Sequence, residues 1–268
     1  MTHRPDLSVI IVSYNTRDLT IQTVGTLLKS TKKPLEIIVV DNASSDGSAD
    51  ALRAAFPEIR VFAETKNLGF GKANNLGAHH ATAEILYFLN SDVIMNPTSV
   101  DPLYDYLIEH PKAGIIAPKL LLEDGKTMQQ AAFGQEPTLM NLLLRQQQRH
   151  DSSHTDSQTH VVDWVTGAAF LMRRDLFLVV GGFDEALFMY YEDIDLCHRV
   201  RDAGYSIIWN PSATLVHLGG KSSISTWRRK RLYYASQIYY MKKHYGSLIA
   251  TILWCARLPL VVYYRLKG

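Results

Sequence analysis

The chain has 268 residues, with 28 Lys/Arg against 26 Asp/Glu and a formal net charge of +2. Its 47% hydrophobic and 20% charged content is globular, which excludes a disordered or fibrous chain, and the length suits one large domain or one domain with an appendage. Two cysteines, Cys197 and Cys255, are too few for a disulfide scaffold or a cysteine-rich zinc module and fit a reducing compartment, while the polar start (Thr2, His3, Arg4, Asp6) predicts no secretory signal.

The first two-thirds alternates strand and helix. Residues 7–13 (LSVIIVS) form a short apolar run, the pattern of a strand buried on both faces. Residues 16–30 have helical spacing, with Leu19, Val24, Leu27 and Leu28 apolar, and residues 35–40 (LEIIVV) are a second buried strand after Pro34. Residues 41–48 are a loop by their turn chemistry, residues 48–55 suit a helix ended by Pro57, and residues 60–63 are a third strand. A small-residue helix over 71–81 and a fourth strand over 84–89 follow, the latter running into Asn90-Ser91-Asp92. The alternation predicts an α/β fold with a doubly wound, mostly parallel sheet. Ligands of such sheets gather at the carboxyl ends of the strands, where Ser13-Tyr14-Asn15, Asp41-Asn42 and Asn90-Ser91-Asp92 stand.

The middle is less regular. Residues 145–160 contain no apolar side chain and are expected to be a mobile loop. Apolar sequence returns over 161–173 around Thr166-Gly167-Ala168, and 181–185 is a turn. Residues 191–203 suit a helix in which Asp195 and Arg199 share a face and Gly204 is the C-cap, and 205–209 is another strand.

The tail changes character. Residues 219–268 carry ten Lys/Arg and no Asp or Glu, which leaves 18 basic against 26 acidic residues, a formal −8, in 1–218. A −8 body argues against nucleic-acid binding, whereas a basic tail with Trp and Tyr fits a membrane surface. Within it, residues 247–264 hold one charge, Arg257, and one proline, Pro259. Three placements stay open: in the plane of the interface, packed as a core helix or oligomer contact, or across the bilayer, where Arg257 is costly.

Asp41 and Asp92 each follow a buried strand, where an acid binds a base, a ribose or a hard cation, or else caps the next turn. Glu192-Asp193-Ile194-Asp195 packs three carboxylates into four residues. Asp195 can pair with Arg199 and Glu192 can help cap the helix, so Asp193 is the candidate general base, against the alternative of a solvated helix start. His217, after Leu215-Val216 and before Gly219-Gly220, suits a metal ligand or a structural histidine. Gly69-Phe70-Gly71-Lys72-Ala73-Asn74 has Asn74 where a dinucleotide fingerprint needs glycine, so it is a tight turn into a closely packed helix. Neither a P-loop nor a G-x-S-x-G elbow occurs.

Over residues 7–220 the chain resembles the inverting family-2 glycosyltransferases of GT-A fold, in particular bacterial rhamnosyltransferase-like members. The resemblance rests on seven stretches in order: 8–15 (SVIIVSYN), 40–48 (VDNASSDGS), 67–75 (NLGFGKANN), 89–93 (LNSDV), 166–168 (TGA), 182–195 (from GFDE to YEDID) and 217–220 (HLGG). It implies a GT-A catalytic domain over 1–220 and a helical, membrane-associating extension over 221–268. Asp41 is then the residue that reads the nucleobase, with Ser13, Asn15, Asn67, Gly71, Asn74, Asn90 and Ser91 around the donor. Asp92 and His217 are implied as ligands of Mg²⁺ or Mn²⁺, Asp193 as the catalytic base, and Thr166, Gly167, Ala168 and Glu192 as the acceptor side. Asn90 stands where the family's metal motif has its first Asp, a mark of the rhamnosyltransferase-like subgroup. The implied partners are a nucleotide-diphosphate sugar (dTDP-rhamnose first) and a lipid-linked or polysaccharide acceptor. The implied location is cytoplasmic, peripheral on the inner face of the cell membrane. Two other classes are a nucleotide-sugar-binding protein without transfer activity and a nucleotidyltransferase, the latter disfavoured because residues 13–17 lack the glycine of a triphosphate loop.

Overall fold

The computed structural model describes residues 4–144, 158–219 and 226–267. The four strands expected near the amino terminus form: β1 (Leu7–Ser13), β2 (Leu35–Asp41), β3 (Arg60–Ala63) and β4 (Ile85–Asn90). They alternate with α1 (Arg17–Leu27), α2 (Ser48–Ala55) and α3 (Phe70–His80). All four strands are parallel, in the order β3-β2-β1-β4. Val9, Ile10 and Ile11 of β1, Ile38 and Val39 of β2 and Leu86 and Phe88 of β4 are fully buried, as runs covered on both faces require. Helix α3 lies very close to the sheet because Gly77 has no side chain: a Cβ there would stand 2.5 Å from Ile10 Cγ2.

Beyond β4 the chain adds β5 (Val93–Met95), α4 (Asp101–Glu109), β6 (Ala113–Leu121), β7 (Phe133–Gly134), α5 (Leu139–Leu143), β8 (His160–Val162), β9 (Trp164–Val165) and β10 (Ala169–Arg173). Helices α6 (Arg174–Val179) and α7 (Glu192–Asp202), strand β11 (Ser206–His217), and helices α8 (Thr226–Tyr245) and α9 (Ser247–Lys267) complete it. The main sheet continues β4-β10-β6-β11-β5, with β8 also on β11. Strands β5, β8 and β10 run against the other six, so the sheet is mostly but not wholly parallel. Strands β7 and β9 form a separate two-stranded ladder. Phe88 anchors the aromatic centre of the core, within 5.0 Å of the Phe170 and Phe177 rings and 5.2 Å of Phe183.

Two sequence expectations change. The strand expected over 205–209 runs on to His217, through a register shift between Asn210 and Thr214. The polar stretch expected to be a loop ends earlier, because His160 already belongs to β8; residues 145–157, like Gly220 and Lys221, lie outside the described residues.

The tail is two packed helices. No helix among the described residues is long and apolar enough to cross a membrane. Arg257 is buried, its Nε donating to Gln237 Oε1 at 3.0 Å and its Nη2 to the Leu142 carbonyl at 2.8 Å. Its charge therefore rests inside protein, between α8 and α5, which meets the packed-helix placement and not the spanning one. The outer face of α9 still exposes Leu248, Ile252, Trp254, Leu258 and Val262.

Candidate active site

The parallel register brings the carboxyl ends of β1, β2 and β4 to one edge. Ser13 is opposite Asp41, and Val12 is opposite Asn90. Because β10 is antiparallel to β4, its first residue, Ala169, lies beside Leu89 at that same edge. The segment Thr166-Gly167-Ala168 just before it is therefore brought to the strand ends, where Asn90 N donates to the Ala168 carbonyl at 2.8 Å.

On the Asp41 side the loops are tightly bonded. Asp41 is buried and its Oδ1 accepts from Ser44 N at 3.2 Å. Asn15, at φ 53°, accepts from Ser45 N at 2.8 Å, so its side chain clamps the 41–48 loop. The Ser13 hydroxyl is buried and bonded to Thr20 Oγ1 at 2.9 Å, and Thr16 Oγ1 reaches Ser91 Oγ at 3.0 Å, which joins the β1 and β4 ends through hydroxyls. Asn67 Oδ1 accepts from Asn42 Nδ2 and Gly69 N. Gly71 and Asn74 are packing positions: a Cβ on Gly71 would meet Phe183 Cβ at 3.0 Å, and Asn74 Nδ2 donates to the Phe70 carbonyl within its own helix.

Asp92 and His217 meet because β5 pairs with the end of β11, His217 opposite Val93. His217 Nε2 is 3.1 Å from Asp92 Oδ1 and 3.4 Å from Asn90 Nδ2. On the other side of the ring, Nδ1 is 2.7 Å from Gln129 Oε1. In the tautomer that donates from Nδ1 to Gln129, Nε2 and Asp92 Oδ1 face each other as two electron-pair donors, and His217 and Asp92 would together hold a divalent cation. Among the described residues no group of three or more His, Cys, Asp or Glu side chains is gathered for a metal. The pair fits a cation that takes its other ligands from water and a diphosphate, as Mg²⁺ does.

Asp193 opens α7. Its Oδ2 accepts from Gly167 N at 2.9 Å and its Oδ1 from Ile194 N at 2.8 Å, with the Thr166 side chain as a further partner. It is thus bonded across to the 166–168 segment. Burial pushes its carboxyl above the usual range, against the pull of the two backbone N–H groups. Gly167 leaves room for this approach, since a Cβ there would stand 2.9 Å from Phe70 Cε1 and 3.7 Å from Asp193 Cβ. Glu192 does not cap the helix: it is buried and, among the described residues, its Oε2 has no hydrogen-bond partner. Burial first and the Asp193 charge second hold it well above the usual carboxylate range. The backbone entering this pair is unusual, with Tyr190 and Tyr191 both at φ 69°, a region that L side chains seldom adopt. Asp195 is fully buried against Arg199 (2.8 Å), Lys243 (2.7 Å) and His244 (2.7 Å), so the expected i,i+4 pair is joined by two residues of α8.

The sheet thus carries acids and a Gly-rich turn at one edge, an Asp–His pair beside them and a buried carboxylate bonded to the same segment, an arrangement of GT-A architecture. The sequence profile described as Glycosyl transferase family 2 matches residues 8–180, and the chain belongs to that family. The chain is 29% identical over 278 residues to the N-acetylglucosaminyl-diphospho-decaprenol L-rhamnosyltransferase of Mycobacterium tuberculosis, covering 94% of this chain and 89% of that one. It is 29% identical over 165 residues to the rhamnosyltransferase WbbL of Escherichia coli K12, covering 56% and 60%. In fold it is similar to the mannosyltransferase PcManGT of Pyrobaculum calidifontis, solved in complex with GDP-Man and Mn²⁺, with a TM-score of 0.65, 20% identity and coverage of 92% of this chain and 66% of that one.

Sequence reasoning missed Gln129, which bonds to His217, and Gln237, which bonds to the Tyr191 hydroxyl two residues before Asp193 and accepts from Arg257. None sits in a motif. Asn42, in the 40–48 stretch, ties that loop to the 67–69 turn: its Oδ1 accepts from Leu68 N at 2.7 Å while its Nδ2 donates to the Gly69 carbonyl at 3.2 Å.

Proposed function

We propose that this chain is an inverting, divalent-cation-assisted glycosyltransferase that moves rhamnose from dTDP-rhamnose to a hydroxyl of a lipid-linked glycan at the cytoplasmic face of the membrane. The observation that carries the reading is one continuous path of bonds. Asp193 is bonded to Gly167 N, and the adjacent Ala168 carbonyl is bonded to Asn90 N, two residues from Asp92. A proton acceptor and a cation-binding pair thus share one edge of the sheet. The rhamnosyl donor and the lipid-linked acceptor are supported by the likeness to the mycobacterial L-rhamnosyltransferase.

Asp193 takes the proton of the acceptor hydroxyl as that oxygen attacks the anomeric carbon from the face opposite the diphosphate. One base and one displacement invert the configuration, whereas glycoside hydrolysis needs two carboxylates across the sugar. The raised carboxyl of Asp193 makes it a stronger base than an exposed aspartate. Asp41 and the Ser13, Asn15 and Asn67 loops hold the nucleoside, with Gly71 and Asn74 fixing the helix behind them. Asn90 and Ser91 flank the diphosphate, and Asp92 and His217 would hold Mg²⁺ or Mn²⁺. The bound cation supplies positive charge where the leaving diphosphate develops negative charge. Thr166, Gly167, Ala168 and Glu192 line the acceptor side. Residues 1–220 act as the catalytic unit, and the 221–268 extension attaches it to the membrane through the outer face of α9.

The test is Asp193→Asn, assayed with dTDP-rhamnose and an N-acetylglucosaminyl-diphospho-polyprenol. The expected result is a loss of transfer of about 10²–10⁴-fold with dTDP binding unchanged, and an inverted anomeric centre in the wild-type product by NMR. Retained transfer in Asp193→Asn removes Asp193 as the base, and a retained configuration removes the single displacement.

A further inference from the structure

The two tyrosines ahead of the base are held by the tail. Tyr191 is 3% exposed and its hydroxyl is bonded to Gln237 Nε2 of α8 at 2.6 Å. The Ser236 hydroxyl donates to the Met189 carbonyl at 2.8 Å. The Tyr233 ring lies 5.7 Å from Tyr190 and 5.5 Å from Tyr191, and the Tyr240 ring lies 5.4 Å from Tyr191. Four residues of α8 therefore grip three consecutive residues, 189–191, that lead directly into Glu192 and Asp193. Gln237 is itself fixed from behind, because its Oε1 accepts from Arg257 Nε of α9. Gln237 is 1% exposed and Arg257 7%.

A backbone in the left-handed region at two successive tyrosines persists only where its surroundings over-determine it. Here the surroundings come from α8 and, through Arg257, from α9. We propose that Gln237 is a positioning residue of the transfer reaction, its amide joining Tyr191 to Arg257 so that docking of the tail helices sets the position of the Asp193 carboxylate. The inference rests on the reading of Asp193 as the base. Among the described residues the side-chain bonds of Gln237 go to Tyr191 and Arg257, not to the loops around Asp41 or to the Asp92–His217 pair, so its effect falls on the chemical step and not on nucleotide binding. Relaxing 190–191 shifts the start of α7, and a displacement on the order of 1 Å at a reacting group costs up to about 10²-fold in rate.

The experiment compares Gln237→Leu and Gln237→Glu in the full chain, with dTDP-rhamnose and an N-acetylglucosaminyl-diphospho-polyprenol as substrates and dTDP affinity measured by calorimetry with Mn²⁺. Gln237→Leu is expected to lower kcat about tenfold or more with dTDP affinity within about twofold of wild type. Gln237→Glu still accepts from Arg257 and takes the Tyr191 O–H as donor, so it is expected to restore kcat. Tyr191→Phe deletes only the hydroxyl, and it is expected to lower kcat in the same direction should Gln237→Leu fail to fold. Wild-type kcat in a folded Gln237→Leu or in Tyr191→Phe overturns the proposal, as does a Gln237→Glu variant as slow as Gln237→Leu, or a loss of dTDP affinity that matches the loss of kcat. Asp193→Asn, run beside them, separates the two readings. If it stays active the base assignment fails, and if it is inactive while Gln237→Leu turns over normally only the positioning role fails.

Discussion

His217 turns Nε2 toward Asp92 Oδ1 at 3.1 Å, and Gln129 Oε1 holds the opposite ring nitrogen at 2.7 Å. A second partner of this kind fixes the tautomer and orientation of a ligating histidine, and its removal typically costs about 10–100-fold in metal affinity. Gln129→Leu is therefore expected to weaken Mn²⁺-dependent dTDP binding by about that factor while leaving dTDP binding in EDTA unchanged. Calorimetry under the two conditions checks it. An equal loss in both would show that Gln129 supports the fold and not the cation pair.

Glu192 gives a stability prediction with a definite sign. Burial and the neighbouring Asp193 raise its carboxyl well above the usual range, so the folded state holds the proton more tightly than the unfolded chain. The protein pays nothing for Glu192 below the ordinary carboxylate range and loses stability as pH rises above it. Glu192→Gln removes that loss. Urea unfolding is expected to show the variant level with wild type near pH 4 and more stable at pH 7, with the gap widening in between. A gap independent of pH would mean that Glu192 ionises freely in the fold.

The buried-strand half of the fold was legible because β1, β2 and β4 are continuous apolar runs, a pattern that local composition states outright. The small residues of α3 likewise announced close packing, realised where Gly77 meets Ile10. Asn210-Pro211-Ser212 has the chemistry of a turn, yet strand β11 continues through it. The strand absorbs it as an irregularity, with Asn210 Oδ1 accepting from Ser212 N at 3.0 Å. The placement of Ser13, Asp41 and Asn90 at strand ends was legible for the same local reason. The bond from Gly167 to Asp193 was not, because it depends on β10 running antiparallel beside β4, a long-range pairing that no spacing encodes. Arg257 read as a misplaced charge in an apolar stretch, since its partners Gln237 and the Leu142 carbonyl come from other helices.

Asp195 is the ionic joint between α7 and the tail. Its burial favours the neutral acid, but His244, Arg199 and Lys243 outweigh that and hold the carboxyl at about 2. Lowered from 3.8, it contributes about 2 kcal/mol of stability at neutral pH, which is lost as pH falls from about 4 toward 2. Asp195→Asn takes the buried carboxylate away from Arg199 and Lys243, although Lys243 keeps Asp184 Oδ2 at 2.7 Å, and is expected to destabilise by about 3 kcal/mol at pH 7. The difference from wild type should narrow by about 1 kcal/mol by pH 3. Denaturant titrations at the two pH values decide it, and a difference that does not narrow would show that the lost packing, not the lost charge, is responsible.

The outer face of α9 carries the membrane part of the proposed function. Leu248 is 74% exposed, and Ile252, Leu258 and Val262 follow it at helical spacing, with the cations Arg228, Arg229 and Arg231 exposed on α8. Each aliphatic side chain that enters a bilayer interface contributes up to about 1.5–3 kcal/mol, and the cations add an attraction to anionic lipid that salt screens. Leu248→Asp combined with Ile252→Asp removes two exposed contacts without touching Arg257, Gln237 or the core. The pair is expected to lower partition onto vesicles containing anionic lipid by more than about tenfold, with Tm and dTDP affinity unchanged. Wild-type chain should bind anionic vesicles better than zwitterionic ones, and less as salt rises. Unchanged sedimentation of the double variant with anionic vesicles would assign the exposed face of α9 to something other than lipid.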